Sequence, residues 1–335
     1  MKVLTITVPS YNAEKYLDKC LTSFKHKAVM DDIEVLIVND GSSDSTAEIA
    51  SKYVDAYPST YRLINKENGG HGSGVNTGIM NATGFYFKVV DADDWVNTEA
   101  FVDFVNLLKE KANSDYPEDL IASDFLCIED GTGNVLRKIK ATEVEELYGN
   151  RYSFDNWHPD KVIKMHSYTI RTKILKEHYR PLDEHCFYVD SEYITYPMPF
   201  VNTVYYDRRE LYMYRLGRSG QTMSWEVLAR NKNMHLHVLN QLVLFYEEVN
   251  DKLSKHEKLY LERCIGDLID NQFQIYIILG NKKGMIAELR KWDRKMKAEH
   301  PRLYASTSKR SISLIRKTNY WILPFAKIAH SIIKR

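Results

Sequence analysis

The chain has 335 residues, 44% hydrophobic and 27% charged, with 15 Gly and 9 Pro; that length suits about two domains, and the composition excludes collagenous, low-complexity and disordered chains. Cys20, Cys127, Cys186 and Cys264 are scattered without a CxxC pair, which argues against a zinc site or a disulfide framework. The net charge of +1 hides an asymmetry: residues 301–335 hold eight Lys or Arg and no acid, leaving 38 basic against 45 acidic residues before them.

In chain order, the opening MKVLTITVPS has too short an apolar run for a secretory segment, and no stretch approaches the ~18 apolar residues of a spanning helix, so a cytoplasmic location is expected. Through residue 112, short β-branched runs at 3–8, 33–38, 62–65 and 85–90 read as strands. Helical spacing separates them, as in Tyr16, Leu17, Cys20, Leu21 and Phe24, and the order βαβαβαβα predicts a mainly parallel sheet. From about residue 113, polar and Pro-containing connections divide short aromatic-rich runs, a mixed region expected to take an acceptor. After Ser224 the pattern is helical, with one helix over residues 227–246 and another over 259–279.

Three loops leave the carboxyl ends of successive expected strands, where an open parallel sheet places its ligands. They are Pro9-Ser10-Tyr11-Asn12, Asn39-Asp40-Gly41-Ser42-Ser43-Asp44 and Asp91-Ala92-Asp93-Asp94-Trp95. The first lacks GxGxxG, which counts against dinucleotide binding. A flat aromatic and a carboxylate at adjacent strand ends suit a nucleobase, with Tyr11 stacking and Asp40 accepting from a ring N–H; read alone, residues 39–43 favour a turn and helix cap. Three carboxylates within residues 91–94 repel one another unless neutralised, and hard oxygen donors select Mg²⁺ or Mn²⁺ with substrate phosphates completing the shell. The alternative is a solvated loop capping a helix near Asn97. Glu67 to Asn76 is Gly-rich without the Lys of a P-loop, so it reads as a loop in which Asn68 or Asn76 offers amide contacts to a nucleotide.

Taken together, VPSYNAEKYLDKCLTS, EVLIVNDGSSDST, ENGGHGSGVNTGI and GFYFKVVDADDWV, in that order over residues 3–105, resemble glycosyltransferase family 2, the inverting, nucleotide-sugar-dependent enzymes with a GT-A fold. The resemblance implies an α/β, Rossmann-like domain with a nucleotide-sugar-binding half at 1–112 and an acceptor half at 113–224, followed by a helical C-terminal module at 225–335. It implies that Pro9, Tyr11 and Asp40, with Asn12 beside them, hold uracil or another base. Asp91 would contact the nucleotide sugar, and Asp93 would ligate Mn²⁺ or Mg²⁺ on the diphosphate, with Asp94 close by. Members carry a downstream Glu-Asp pair whose Asp is the base. Here the sequence is Val189-Asp190-Ser191-Glu192, so Asp190 is the expected base and Glu192 the reserve candidate. Arg215 and Arg218, on a tyrosine- and arginine-rich run followed by a Ser/Gly-rich loop, suit the departing diphosphate as bidentate donors and equally suit pairing with surface acids.

On the acceptor side Trp157, His166 and Tyr168 are candidates for sugar contacts, with His158 and His185 behind them. The expected acceptor is a saccharide, a lipid-linked saccharide or a cell-surface polymer. The tail from Ser311 to Arg335 interleaves cations with Ile312, Leu314, Ile315, Trp321, Leu323 and Phe325, which suits an anionic membrane surface at the inner face of the cell membrane or a helix docked on the acidic body. Basic residues confined to a tail argue against nucleic acid. Two other classes compete: a sugar nucleotidyltransferase, which lacks a basic Gly-rich signature here, and a non-catalytic glycan-binding protein, against which the intact acidic cluster speaks.

Overall fold

The computed structural model describes residues 2–218, 225–279 and 284–323, and divides the chain into two compact units, Met1–Ser219 and Gly220–Arg335. The first unit is built on strands β1 (Leu4–Ser10), β2 (Ile33–Asp40), β3 (Tyr61–Lys66) and β4 (Tyr86–Val89), with helices α1 (Leu17–Ser23), α2 (Thr46–Ala56) and α3 (His71–Asn81) between them. Every residue of β2 is buried, the pattern of a parallel strand covered on both faces. A short β5 (Trp95–Val96) leads into α4 (Thr98–Ala112), whose cap is Asn97: its side chain accepts the Ala100 N–H at 3.2 Å.

The segment after α4 adds β6 (Leu120–Glu129), β7 (Val135–Ile139), β8 (Arg151–Ser153) and β9 (Tyr168–Arg171), the short helices α5 (Thr172–Glu177) and α6 (Asp190–Thr195), and the long strand β10 (Thr203–Leu216). All of these join one sheet in the order β3-β2-β1-β4-β9-β6-β10-β5, with β7 on β6 and β8 on β10. Strands β1 to β4, β6 and β10 run parallel, and β9 and β5 run against them. The sheet is therefore mostly parallel, and the carboxyl ends of β1, β2 and β4 share one edge.

One sequence expectation changes here. The glycine-rich run after β3 is not a loop from residue 71 onward but helix α3 itself. Its glycines are spacers for backbone approach: a Cβ on Gly74 would lie 2.9 Å from the Pro9 Cβ, and one on Gly78 would lie 1.8 Å from Thr7 Oγ1. Helix α3 can thus lie directly on β1, which a bulkier sequence would push away.

The second unit comprises α7 (Trp225–Arg230), α8 (Lys232–Val249), α9 (Lys255–Leu279), α10 (Met285–Glu299), α11 (Pro301–Ala305) and α12 (Arg310–Lys317). The single helix expected over 227–246 is broken at Asn231, a residue whose side chain competes with helical backbone hydrogen bonds. Helix α9 runs through the middle of the unit with most of its residues buried. The described part of the tail is docked rather than free: Ile312, Ile315 and Leu323 are buried, and Arg316 makes a two-armed ion pair with Asp293 of α10 at 2.7 and 3.0 Å. Those apolar groups are withdrawn from any membrane surface, and only Leu314 and Trp321 stay exposed. Phe325, Lys327, Lys334 and Arg335 lie outside the described residues, as does the expected loop at 219–222. Among the described residues no helix is long and apolar enough to cross a membrane.

Candidate active site

The loops after β1 and β2 are laced together. Asn12, held at a φ of 48°, accepts the Ser43 N–H at 2.9 Å and donates its own N–H to Ser42 Oγ at 3.0 Å. This leaves Tyr11 more than half exposed beside Pro9, an aromatic face open to a flat ligand. Asp40 is buried, and its oxygens take the Gly69 N–H at 2.9 Å, the Gly70 N–H at 2.7 Å and Lys66 Nζ at 2.8 Å. Its first task is to tie the end of β2 to the start of α3; only Oδ2, with one donor, has capacity for a further N–H. Asn68 donates to the Asp40 carbonyl at 2.9 Å. Asn76 spends both ends of its amide on Leu182, as donor to the carbonyl and acceptor from the N–H, each at 2.9 Å. The amide of Asn76 is thus engaged within the protein, whereas Asn68 is exposed and donates one N–H to the loop.

The three carboxylates after β4 have ligating oxygens within 4.8 Å of one another. Their environments push them apart. Asp94 is buried, with one oxygen accepting the Tyr212 hydroxyl at 2.6 Å and the other the Arg215 N–H at 2.7 Å. Burial, then the charges of Asp93 and Asp91, raise its pKa well above the carboxylate range. Asp94 braces the loop against β10 and does not face a ligand, contrary to expectation. Burial likewise raises Asp93, opposed by Arg218, which ion-pairs with its Oδ2. Asp91 Oδ1 accepts from His71 Nε2 at 2.8 Å; burial alone would raise its pKa, but the His71 charge and hydrogen bond hold it below the usual value.

The two arginines separate in the same way. Arg215 is buried, its Nε donating to the Asp93 carbonyl at 2.7 Å and its Nη1 to Asp130 at 2.8 Å, so it is a brace and not the expected diphosphate contact. Arg218 is about one-third exposed and carries its charge to Asp93 at the surface of the cluster. Asp91, Asp93 and Arg218 are thus the charged groups of this loop that a ligand can reach. A hard divalent cation fits the donor set, because two partly exposed carboxylates stand beside a third that is fixed from behind.

Across from the cluster, Asp190 is the first residue of α6 and opens to solvent. Crowding by protein raises its pKa, opposed by the charges of His71 and Lys164, and Asp91 pushes the same way as burial. The same set of charges bears on His71, where burial lowers the pKa but Asp91, Asp190 and Asp93 raise it overall. His166 stacks on Phe125 at 4.8 Å and meets Tyr214 at 4.3 Å, and burial lowers its pKa to about 4 despite the pull of Asp91. It is a neutral ring at the edge of the site. His71 and Tyr212 were not among the residues singled out from sequence; a histidine opening a helix directly after a glycine pair was the signal available for His71.

Three acceptor candidates lie elsewhere. Glu192 is buried, accepting the Asp183 N–H at 2.9 Å and the Tyr196 hydroxyl at 3.3 Å, with its pKa pushed up to about 7 chiefly by burial. Tyr168 is a core residue whose ring packs on Tyr193 at 5.3 Å. Trp157 packs against Tyr206 at 5.7 Å, near the start of β10. Nine residues of strand, on the order of 25–30 Å, separate Tyr206 from Arg215 at the acidic loop. Burial and distance respectively remove these three from the site. His158 lies beside Trp157 in the chain, whereas His185 is exposed and donates its N–H to the Gly69 carbonyl at 2.6 Å.

The glycosyltransferase GlyA of Streptococcus pneumoniae is 26% identical over 280 residues, covering 80% of this chain, while the chain spans 38% of the length of that relative. The minor teichoic acid biosynthesis protein GgaB of Bacillus subtilis is 25% identical over 258 residues, covering 76% of this chain and 27% of the relative. Staphylococcus aureus TarS residues 1–349, solved with UDP, superposes with a TM-score of 0.63 at 16% identity over 99% of this chain and 91% of that one. The mannosyltransferase PcManGT of Pyrobaculum calidifontis, solved with GDP-Man and Mn²⁺, superposes with a TM-score of 0.50 at 15% identity and covers 99% of this chain and 87% of that one. The likeness to TarS shows the GT-A fold. Residues 5–177, just over half of the sequence, match the family described as Glycosyl transferase family 2, and the chain belongs to that family.

Proposed function

We propose that the protein is a glycosyltransferase that moves a sugar from a nucleoside-diphosphate donor, a UDP-sugar, to a hydroxyl of a saccharide, lipid-linked or cell-surface polymer acceptor, with inversion at the anomeric carbon. The observation that carries this reading is the pairing of an accessible Asp91–Asp93–Arg218 loop with a separate carboxylate, Asp190, whose raised pKa suits a base. The solved relatives support the donor class: TarS is described with UDP and with UDP-GlcNAc, and PcManGT with GDP-Man.

Tyr11 and Pro9 receive the base, with Oδ2 of Asp40 accepting a ring N–H. Asp91 and Asp93 would hold Mn²⁺ or Mg²⁺, which when bound neutralises the diphosphate as it leaves. Arg218 is the guanidinium available to that diphosphate. Asp190 takes the proton of the acceptor hydroxyl as its oxygen bonds to the anomeric carbon; the bond from that carbon to the diphosphate oxygen breaks, and the nucleoside diphosphate departs with the electron pair. A single displacement of this kind inverts the anomeric configuration.

The test is a thermal-shift panel of nucleotides and nucleotide sugars with and without Mn²⁺. UDP and UDP-sugars are expected to stabilise the wild type in a Mn²⁺-dependent way, and Asp93→Ala to abolish the response. A folded wild type indifferent to every nucleotide would overturn the proposal.

A further inference from the structure

The first half of the loop 182–189 that precedes α6 is bound to the donor side at Leu182, Glu184 and His185, and to α6 itself at Asp183. Leu182 is gripped by Asn76, the Asp183 N–H by Glu192, Glu184 by Ser73 at 2.9 Å and the His185 N–H by the Gly69 carbonyl. A Cβ on Gly72 would lie 2.2 Å from the Asp183 carbonyl oxygen, so the loop sits directly on the first turn of α3. Within it, two residues other than glycine hold left-handed backbone: His185 at a φ of 52° and Tyr188 at 71°. Each costs on the order of 1 kcal/mol or more, and such strain persists only where surrounding contacts over-determine it.

Between those two positions stands Phe187, 41% exposed, three residues before Asp190. Leaving a phenylalanine in water costs on the order of 1 kcal/mol of forgone burial, while the chain leading to it is tied down from Leu182 to His185 and its ring meets the neighbouring Tyr188 ring edge-on at 6.3 Å. We infer that Phe187 is a stacking platform for the ring of an acceptor saccharide, holding the sugar whose hydroxyl Asp190 deprotonates. The apolar face of a pyranose presents axial C–H groups with partial positive charge, which match the negative face of an aromatic ring. The left-handed residues on either side aim the ring, and the hydrogen bonds to Asn76 and Glu192 keep it aimed. Glu192, Asn76 and Ser73 are positioning residues for this platform. The inference rests on the proposed transferase reading and adds the residue that recognises the acceptor.

It is tested on the full chain with UDP and Mn²⁺ present, by saturation-transfer NMR with the methyl glycosides of glucose, galactose and N-acetylglucosamine as probes, alongside calorimetric UDP affinity. The wild type is expected to saturate the C–H face of at least one glycoside. Phe187→Ala should weaken that signal about fivefold, the size of one aromatic contact, and Phe187→Tyr should retain it, with UDP affinity the same in all three. Equal saturation in wild type and Phe187→Ala would overturn the inference, as would no saturation of any glycoside by a wild type that binds UDP. A wild type that fails to bind UDP sinks the donor reading instead.

Discussion

Asp190 and Glu192 are two carboxylates two positions apart on one helical turn, and their surroundings give them different chemistry. Asp190 reaches solvent and faces His71 and Lys164, while Glu192 turns inward to Asp183 and Tyr196. Replacing Asp190 with Asn removes the proton acceptor and keeps the shape, so turnover should fall by about 10²–10⁴-fold with UDP affinity unchanged, read in parallel transfer and calorimetric assays. Near-wild-type turnover would exclude Asp190 as the base. For Glu192 the expected signature is stability. Its folded pKa of about 7 lies above the ordinary 4.5, so the native state holds this proton more tightly than the unfolded chain. The stabilisation is complete below about pH 4.5 and is lost as pH rises toward 7, with a slope of up to about 1.4 kcal/mol per unit. Glu192→Gln should flatten that part of the urea-unfolding profile between pH 4.5 and 7; an unchanged slope would show that other groups produce it.

Helix α3 shows what an element owes to its neighbours. By intrinsic propensity an alanine at Gly78 would favour the helix by about 1 kcal/mol. Against this, its Cβ would fall 1.8 Å from Thr7 Oγ1 and 2.6 Å from Thr7 Cβ on the buried strand β1. Overpacking of that kind costs about 1–3 kcal/mol, so Gly78→Ala should destabilise, and Thr7→Ala in the same chain should recover only part of the loss in a double-mutant cycle, since it removes the hydroxyl and methyl but keeps the Cβ at 2.6 Å. This is also why the segment was misread as a loop from sequence: glycine's low helix propensity is a local fact, and the strand pressed against it is not. Strands β1, β2 and β4 were legible to within a residue or two because strands covered on both faces are rich in apolar and β-branched residues, whereas the edge strand β3 is only partly buried and shows only a short such run. The clustering of Asp91, Asp93 and Asp94 is legible because three carboxylates within four residues at a strand end must lie close together. The inward duties of Asp94, Arg215 and Asn76 depend on partners more than 100 residues away and leave no local mark.

At the scale of the whole molecule, the helical unit is held at its C-terminal side by the Arg316–Asp293 pair, with the Tyr320 hydroxyl donating to the same carboxylate at 2.5 Å and the guanidinium 3.7 Å above the Tyr304 ring. Arg316→Met leaves Asp293 buried without its cation, and a loss of about 3–5 kcal/mol is expected in denaturant unfolding of the full chain. Removing both charges with Asp293→Leu and Arg316→Met should cost much less, since the isolated charge is the expensive species; equal losses would deny the pair its role.

Strand β10 has a consequence for how such chains can be rearranged. It lies late in the sequence, yet its Tyr212 and Arg215 hold the Asp94 end of the acidic loop that belongs to the first hundred residues. The acidic loop and its brace are therefore discontinuous in the chain. A chimaera that joins residues 1–112 of this protein to the remainder of a relative would part the loop from its brace, whereas one that also carries residues 203–218 would keep them together. Recombination among relatives is thus expected to conserve donor use only when those two separated segments are inherited as a set.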